Sequence, residues 1–197
     1  MGSFTPFLDS LAKQSLYWEN CLSTGGRTFA ALPSIFGSLP FGKRGFLELN
    51  ENQPAHFSLI KYLRKSGYKA NFYYGGDARF DDMDRFLRKQ NTDLIIDQNN
   101  FGTGYKKMPS SGRGFSWGYG DRDLFERSFK VINSGKQENQ LNIFLTLSMH
   151  SPFIVDNQDR YRKQFDEIYS DLHLDPDVMI SIKSYKDVYN KAKQFEK

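Results

Sequence analysis

Apolar positions recur along the chain at spacings that switch between helix and strand. "FTPFLDSLAKQS" predicts a short helix, with Thr5 as N-cap and Pro6 at the first helical position. "LYWENC" is rich in β-formers and predicts a strand ending near Cys21, which would bury that thiol. After Gly25 and Gly26, the residues Phe29, Leu32, Ile35, Phe36 and Leu39 fall at helical spacing. Pro33 lies among them, so this helix is expected either to start late, near Leu32, or to kink. "AHFSLIKYLRKSGY" predicts a helix with a Phe57–Ile60–Leu63 stripe and Gly67 as its stop. "YKANFYY" predicts a strand, "FDDMDRFLRKQ" a helix and "DLIID" a short buried strand. Residues 98–120 are a Gly/Ser/Asn-rich loop. "DRDLFERSFKVINSG" predicts a helix capped by Asp121 and stopped by Gly135, and "LNIFLTLSM" an apolar strand. Beyond Pro152 the chain turns polar, with helical patterns over Tyr161–Leu172 and Tyr185–Lys197.

This alternation predicts an α/β layered fold around a mostly parallel sheet. Three predicted strands run into loops with chemical potential: Gly25-Gly26-Arg27-Thr28, Gly75-Gly76-Asp77, and Met149-His150-Ser151-Pro152. Ligands of open α/β sheets bind beyond the carboxyl ends of the strands, so parallel strands would bring these loops together.

Composition narrows the chemistry. With 27 Lys and Arg against 23 Asp and Glu, the net charge of +4 suits an anionic substrate. It is too small, and too evenly spread, to indicate nucleic-acid binding. The single Cys21 excludes an internal disulfide. No zinc-site spacing, signal peptide or apolar run of about 18 residues occurs.

Each candidate residue has a functional and a structural reading. Thr28 stands at a helix mouth, where unpaired N–H groups attract anions and Arg27 adds a cation. Its hydroxyl is either a nucleophile, which needs a base or metal to activate it, or simply an N-cap. His150, directly after the most apolar strand, is either an anion or proton-transfer ligand or a hydrogen-bonded strand-end histidine. Tyr74 and Asp77 could face substrate across a tight or positive-φ Gly75-Gly76 turn, and Asp77 could equally cap the next turn. His56 and His173 read as surface residues. The glycines of the 98–120 loop form no phosphate-binding P-loop.

"CLSTGGRTFAALPSIFGSLPFG", "YKANFYYGGDARFDDMDRFL", "WGYGDRDLFERSF" and "FLTLSMHSPF" stand in the order and rough spacing of the sulfatase branch of the alkaline phosphatase superfamily. The resemblance is to its lipoteichoic acid synthase-like, or phosphoglycerol transferase-like, enzymes, and it covers residues 3–153. It implies an alkaline phosphatase-like α/β/α sandwich, with residues 1–197 forming a partial catalytic domain incomplete at both ends. It implies that Thr28, after Gly26-Arg27, ligates a divalent metal (Mn, Mg, Zn or Ca) and is the nucleophile. Arg27, His150, Tyr74, Gly75 and Asp77 become substrate-binding residues by the same resemblance. Two features depart from the family. The tryptophan and arginine of the lipoteichoic acid enzymes are replaced by "ARFDDMD", and neither the family's first-strand acidic ligand nor its Asp-His pair is found. The formylglycine motif of other sulfatases is missing too. The expectation is therefore a metal-dependent enzyme of phosphate or sulfate esters, small or lipid- or glycan-linked. These residues alone would retain little metal or turnover. The parent protein would be membrane-anchored through other segments, with an extracytoplasmic catalytic domain, while this piece is soluble. The alternative is a non-catalytic α/β module that binds an anion or a protein partner.

Overall fold

The computed structural model describes residues 6–42, 45–110, 114–135, 138–150, 153–155, 157–170 and 176–179. Thr5, Ser151, Pro152, His173 and the expected helix over 185–197 lie outside them. Three parallel strands, β1 (Lys69–Tyr74), β2 (Leu94–Ile96) and β3 (Gln140–Leu145), form a sheet in the order β2-β1-β3. Asn71 is in register with Leu94 on one side and Asn142 on the other. As the central strand, β1 is covered on both faces, which is why five consecutive residues from Ala70 to Tyr74 are buried.

The helices are α1 (Pro6–Ala12), α2 (Thr28–Gly37), α3 (Leu59–Lys65), α4 (Met83–Lys89), α5 (Asp121–Ser134) and α6 (Gln158–Ser170). Ala70, Phe72, Tyr74 and Ile143 form one face of the sheet, packed with Leu32 of α2, Ile60 of α3 and Phe86 of α4. Tyr73, Ile96 and Phe144 form the other face, against Leu124 and Val131 of α5 and Phe101 of the long loop. Helices on both faces of a parallel sheet make an α/β/α sandwich. No helix among the described residues is long and apolar enough to cross a membrane.

Local rules account for several boundaries. Ser58 caps α3 by accepting from Lys61 N at 3.1 Å. At its other end Gly67 has φ of +87° while Tyr68 N donates to Leu63 O and Gly67 N to Arg64 O, a Schellman stop.

Five expectations need correction. "LYWENC" forms no strand: Leu16, Tyr17 and Trp18 are exposed, and Cys21 is exposed rather than buried. β-propensity stabilises a strand only where a partner strand and a packed face meet it, and no described strand lies there. α2 begins at Thr28, not near Leu32, and continues through Pro33. The helix expected over Phe80–Gln90 is split. Asp81 and Asp82 take left-handed conformations (φ of +50° and +56°), so a 3₁₀ turn over Phe80–Asp82 precedes α4. Phe57 precedes α3 and is exposed instead of joining its buried stripe. His56 is half-buried rather than a plain surface residue; its ring is stacked at 5.6 Å on Phe86 and meets Phe46 edge-on at 4.8 Å.

Candidate functional site

The carboxyl ends of the three strands open on one edge of the sheet, and their loops are tied together there. Gly75 O, just past β1, accepts from Tyr119 N at 2.9 Å. Gly76 O accepts from Gln98 N, just past β2, also at 2.9 Å. The Gly75–Tyr119 contact explains the glycine. Neither Gly75 nor Gly76 has positive φ, which leaves the tight turn of the two readings. A Cβ on Gly75 would stand 2.1 Å from Tyr119 O, so only glycine admits the crossing backbone.

Asp97, at the end of β2, is buried and accepts from Ala78 N at 2.9 Å and from Asn99 N and Nδ2, each at 2.9 Å. It braces the turn that carries Asp77. Asp77 itself is engaged by Arg79, whose Nη2 and Nε lie 2.6 Å from Oδ2 and 2.9 Å from Oδ1, and by Asn99 Nδ2 at 3.1 Å. The hydrogen-bonded Arg79 guanidinium, helped by Asn99, holds the Asp77 carboxyl well below the usual carboxylate range. Tyr74 is only 6% exposed. Burial first, then the nearby negative charges of Asp77 and Asp81, push its phenol up to about 12.

The loop before α2 brings Arg27 within electrostatic reach of Asp81. Thr28 is exposed at the first helical position, and its hydroxyl makes no hydrogen bond with the described residues. It is not the N-cap. That position belongs to Arg27, which is extended and offers no side-chain cap bond. Phe29 anchors this helix start in the core cluster that also holds Tyr74. Burial raises the pKa of Asp81, with Arg27 opposing it and Glu48 and Asp82 adding to it. Arg27 and Asp81 therefore feel each other's charge, and Asp81 in turn acts on Tyr74.

On the β3 side, the exit turn is locked to the start of α5. Asp121 Oδ1 accepts from Leu147 N at 2.6 Å and Ser148 N at 3.1 Å, and Ser148 Oγ accepts from Asp121 N at 3.0 Å. Asp121 is thus not the expected cap, which is Gly120; its carboxylate holds the turn that carries His150. His150 is exposed, and its ring lies 4.2 Å from that of Trp117. Trp117 meets Phe80 edge-on at 6.2 Å. Ring contacts thus link His150 through Trp117 to Phe80, at the start of the 3₁₀ turn that carries Asp81. A cleft of about 1180 Å³, lined by Lys106, Lys107, Arg122 and Arg160 together with Asp121 and Asp123, opens beside Ser148 and Met149; none of Thr28, Tyr74, Asp77 and His150 lines it.

Sequence reasoning passed over Asp97, Arg79 and Trp117. Only Asp97 carried a local sign, as an acid closing the "DLIID" strand. Among the described residues, no three His, Cys, Asp or Glu side chains gather as metal ligands. One hydroxyl cannot hold a divalent ion, so these residues by themselves do not fit a metal site.

The fold is similar to that of solved proteins of the alkaline phosphatase superfamily. It superposes on the lipoteichoic acid synthase LtaP from Listeria monocytogenes with a TM-score of 0.67 at 19% identity, covering 98% of this chain and 44% of that one. A Vibrio parahaemolyticus protein of the superfamily gives 0.57 at 23% identity, covering 77% and 41%. The zinc complex of the C-terminal periplasmic domain of Escherichia coli EptC gives 0.56 at 16%, covering 98% and 49%. The sequence profile of the sulfatase family matches residues 2–192, and the chain belongs to that family. Within it the chain is similar to a lipoteichoic acid synthase-like protein. It is 24% identical over 168 residues to the lipoteichoic acid synthase-like protein YvgJ of Bacillus subtilis (strain 168), covering 82% of this chain and 25% of YvgJ. The chain thus spans about a quarter of that relative and under half of each solved structure.

Proposed function

We propose that the protein cleaves or transfers phosphate or sulfate esters through Thr28. The carrying observation is an exposed, uncommitted hydroxyl at the first position of α2, beside Arg27, in a chain of the sulfatase family. Thr28 Oγ1 bonds to the phosphorus or sulfur as the bond to the ester's alcohol oxygen breaks. The hydroxyl gives up its proton, and the departing alcohol takes one up. Water or an acceptor alcohol then displaces Thr28 and restores the hydroxyl. Arg27, the N–H groups at the start of α2 and His150 stabilise the non-bridging oxygens.

A divalent ion would supply the lowered hydroxyl pKa that threonine needs. Its other ligands come from beyond the described residues, so these residues alone turn over little. The burial of Tyr74 and Gly75 and the Arg79 bond to Asp77 support a role in which this turn frames the carboxyl edge of the sheet. The periplasmic origin of the EptC domain and the likeness to YvgJ support a membrane-anchored protein with an extracytoplasmic catalytic domain acting on lipid- or glycan-linked esters.

The test is hydrolysis of para-nitrophenyl phosphate and para-nitrophenyl sulfate by the full-length protein with added Mn²⁺, Mg²⁺, Zn²⁺ or Ca²⁺. Metal-dependent turnover that disappears in Thr28→Ala is expected. Turnover that survives Thr28→Ala excludes the nucleophile.

A further inference from the structure

Trp117 has no role in the chemistry above, yet it is the most constrained side chain beside His150. Its indole centroid is 4.2 Å from that of the imidazole, with the planes at 50°. Phe80 and Phe115 pack edge-on against the same indole, at 6.2 Å and 5.0 Å. The backbone on either side is clamped as well. Ser116 Oγ donates to Met108 O at 2.6 Å, Met108 N donates to Gly118 O at 2.7 Å, and Tyr119 N reaches Gly75 O. Gly118 sits at φ of +127° with a Cβ position 2.0 Å from Gly75 O, so this crossing admits no side chain. His150, by contrast, is an exposed residue on a turn whose backbone is held by Asp121 two and three residues earlier. A ring that must meet an anion at one angle gains from a neighbour that limits its orientations.

We propose that Trp117 is a positioning residue: its clamped indole blocks one side of the His150 imidazole and limits the orientations of that ring. The catalytic consequence rests on the function proposed above; the positioning does not. In the chain as described, side-chain NMR of the three histidines, assigned with His150→Gln, reads the position directly. The His150 ring protons are expected to carry a ring-current shift that Trp117→Ala abolishes and Trp117→Phe keeps in part. In the full-length protein with para-nitrophenyl phosphate, Trp117→Ala is expected to lower kcat/KM about tenfold and Trp117→Phe about threefold or less, while Trp117→Ala added to His150→Gln costs under about twofold.

A residue that merely supports the fold would instead multiply with His150→Gln and lower the melting temperature in step with activity. That outcome, or His150 ring shifts unchanged in a folded Trp117→Ala variant, overturns the proposal. A ring shift in a protein without turnover keeps the positioning and removes the esterase reading.

Discussion

Replacing Asp121 by alanine should reveal how much one carboxylate contributes to the edge where the candidate site lies. Its Oδ1 accepts from Leu147 N at 2.6 Å and from Ser148 N at 3.1 Å, and those residues are only 5% and 9% exposed. Neither N–H is in a helix or strand, so alanine leaves both without this acceptor. A buried donor left unsatisfied costs about 1–3 kcal/mol, and a bond to a charged acceptor is worth more than a neutral one. Part of the loss is recovered as water reaches the turn, so the expected total is about 2–4 kcal/mol. Asparagine retains a neutral oxygen acceptor and should lose about half as much. Urea unfolding at neutral pH, followed by far-UV circular dichroism, measures both. With a slope of about 1–3 kcal/mol per molar, the alanine midpoint should fall by about 1–2 M at constant slope. An alanine variant within about 0.5 kcal/mol of the parent, the ordinary range for surface substitutions, would refute the idea that this carboxylate holds the His150 turn.

Other consequences follow from the same edge. Gly75→Ala drives a Cβ to 2.1 Å from Tyr119 O and should destabilise by about 1–3 kcal/mol, seen as a lower melting temperature; an unchanged melting temperature contradicts the crossing. Tyr74, raised to about 12, contributes stability that is whole below the ordinary tyrosine pKa near 10 and is lost as pH rises through the folded value. Ultraviolet titration against Tyr74→Phe should show one phenol ionising late, and a difference spectrum complete by about pH 10 excludes the burial. Arg79→Ala should let the Asp77 carboxyl rise toward about 3.9, read by carboxyl ¹³C NMR. Because the folded value is depressed, the Asp77 contribution is present above the unfolded pKa and fades as pH falls below it. Arg79 is exposed, so the effect on global stability should be small.

The elements legible from local pattern were those whose causes are local. The Lys69–Tyr74 strand, the Asp121–Ser134 helix and the Gly67 stop follow from periodicity and cap chemistry within a few residues. What was misread depended on distant partners. "LYWENC" has the composition of a strand and no described neighbour to pair with. Local sequence marks Gly75 as a turn residue, but the backbone that demands glycine there lies at Tyr119, 44 positions along the chain. Asp121 reads locally as a helix cap, and its partners at Leu147 and Ser148 are invisible until α5 and β3 come together. Trp117 carried no periodic or cap signal, and its place beside His150 emerges only from the folded loop.

The central claim is that Thr28 Oγ1 is the atom that takes up the transferred group. Full-length protein is incubated with para-nitrophenyl phosphate and divalent metal, quenched in acid and digested, and the peptides are sequenced by mass spectrometry. A peptide gaining the mass of one phosphoryl group at Thr28, and no such gain in Thr28→Ala, is the expected result. Turnover with the phosphoryl group on another residue, or with no covalent intermediate in any quench, would contradict the account.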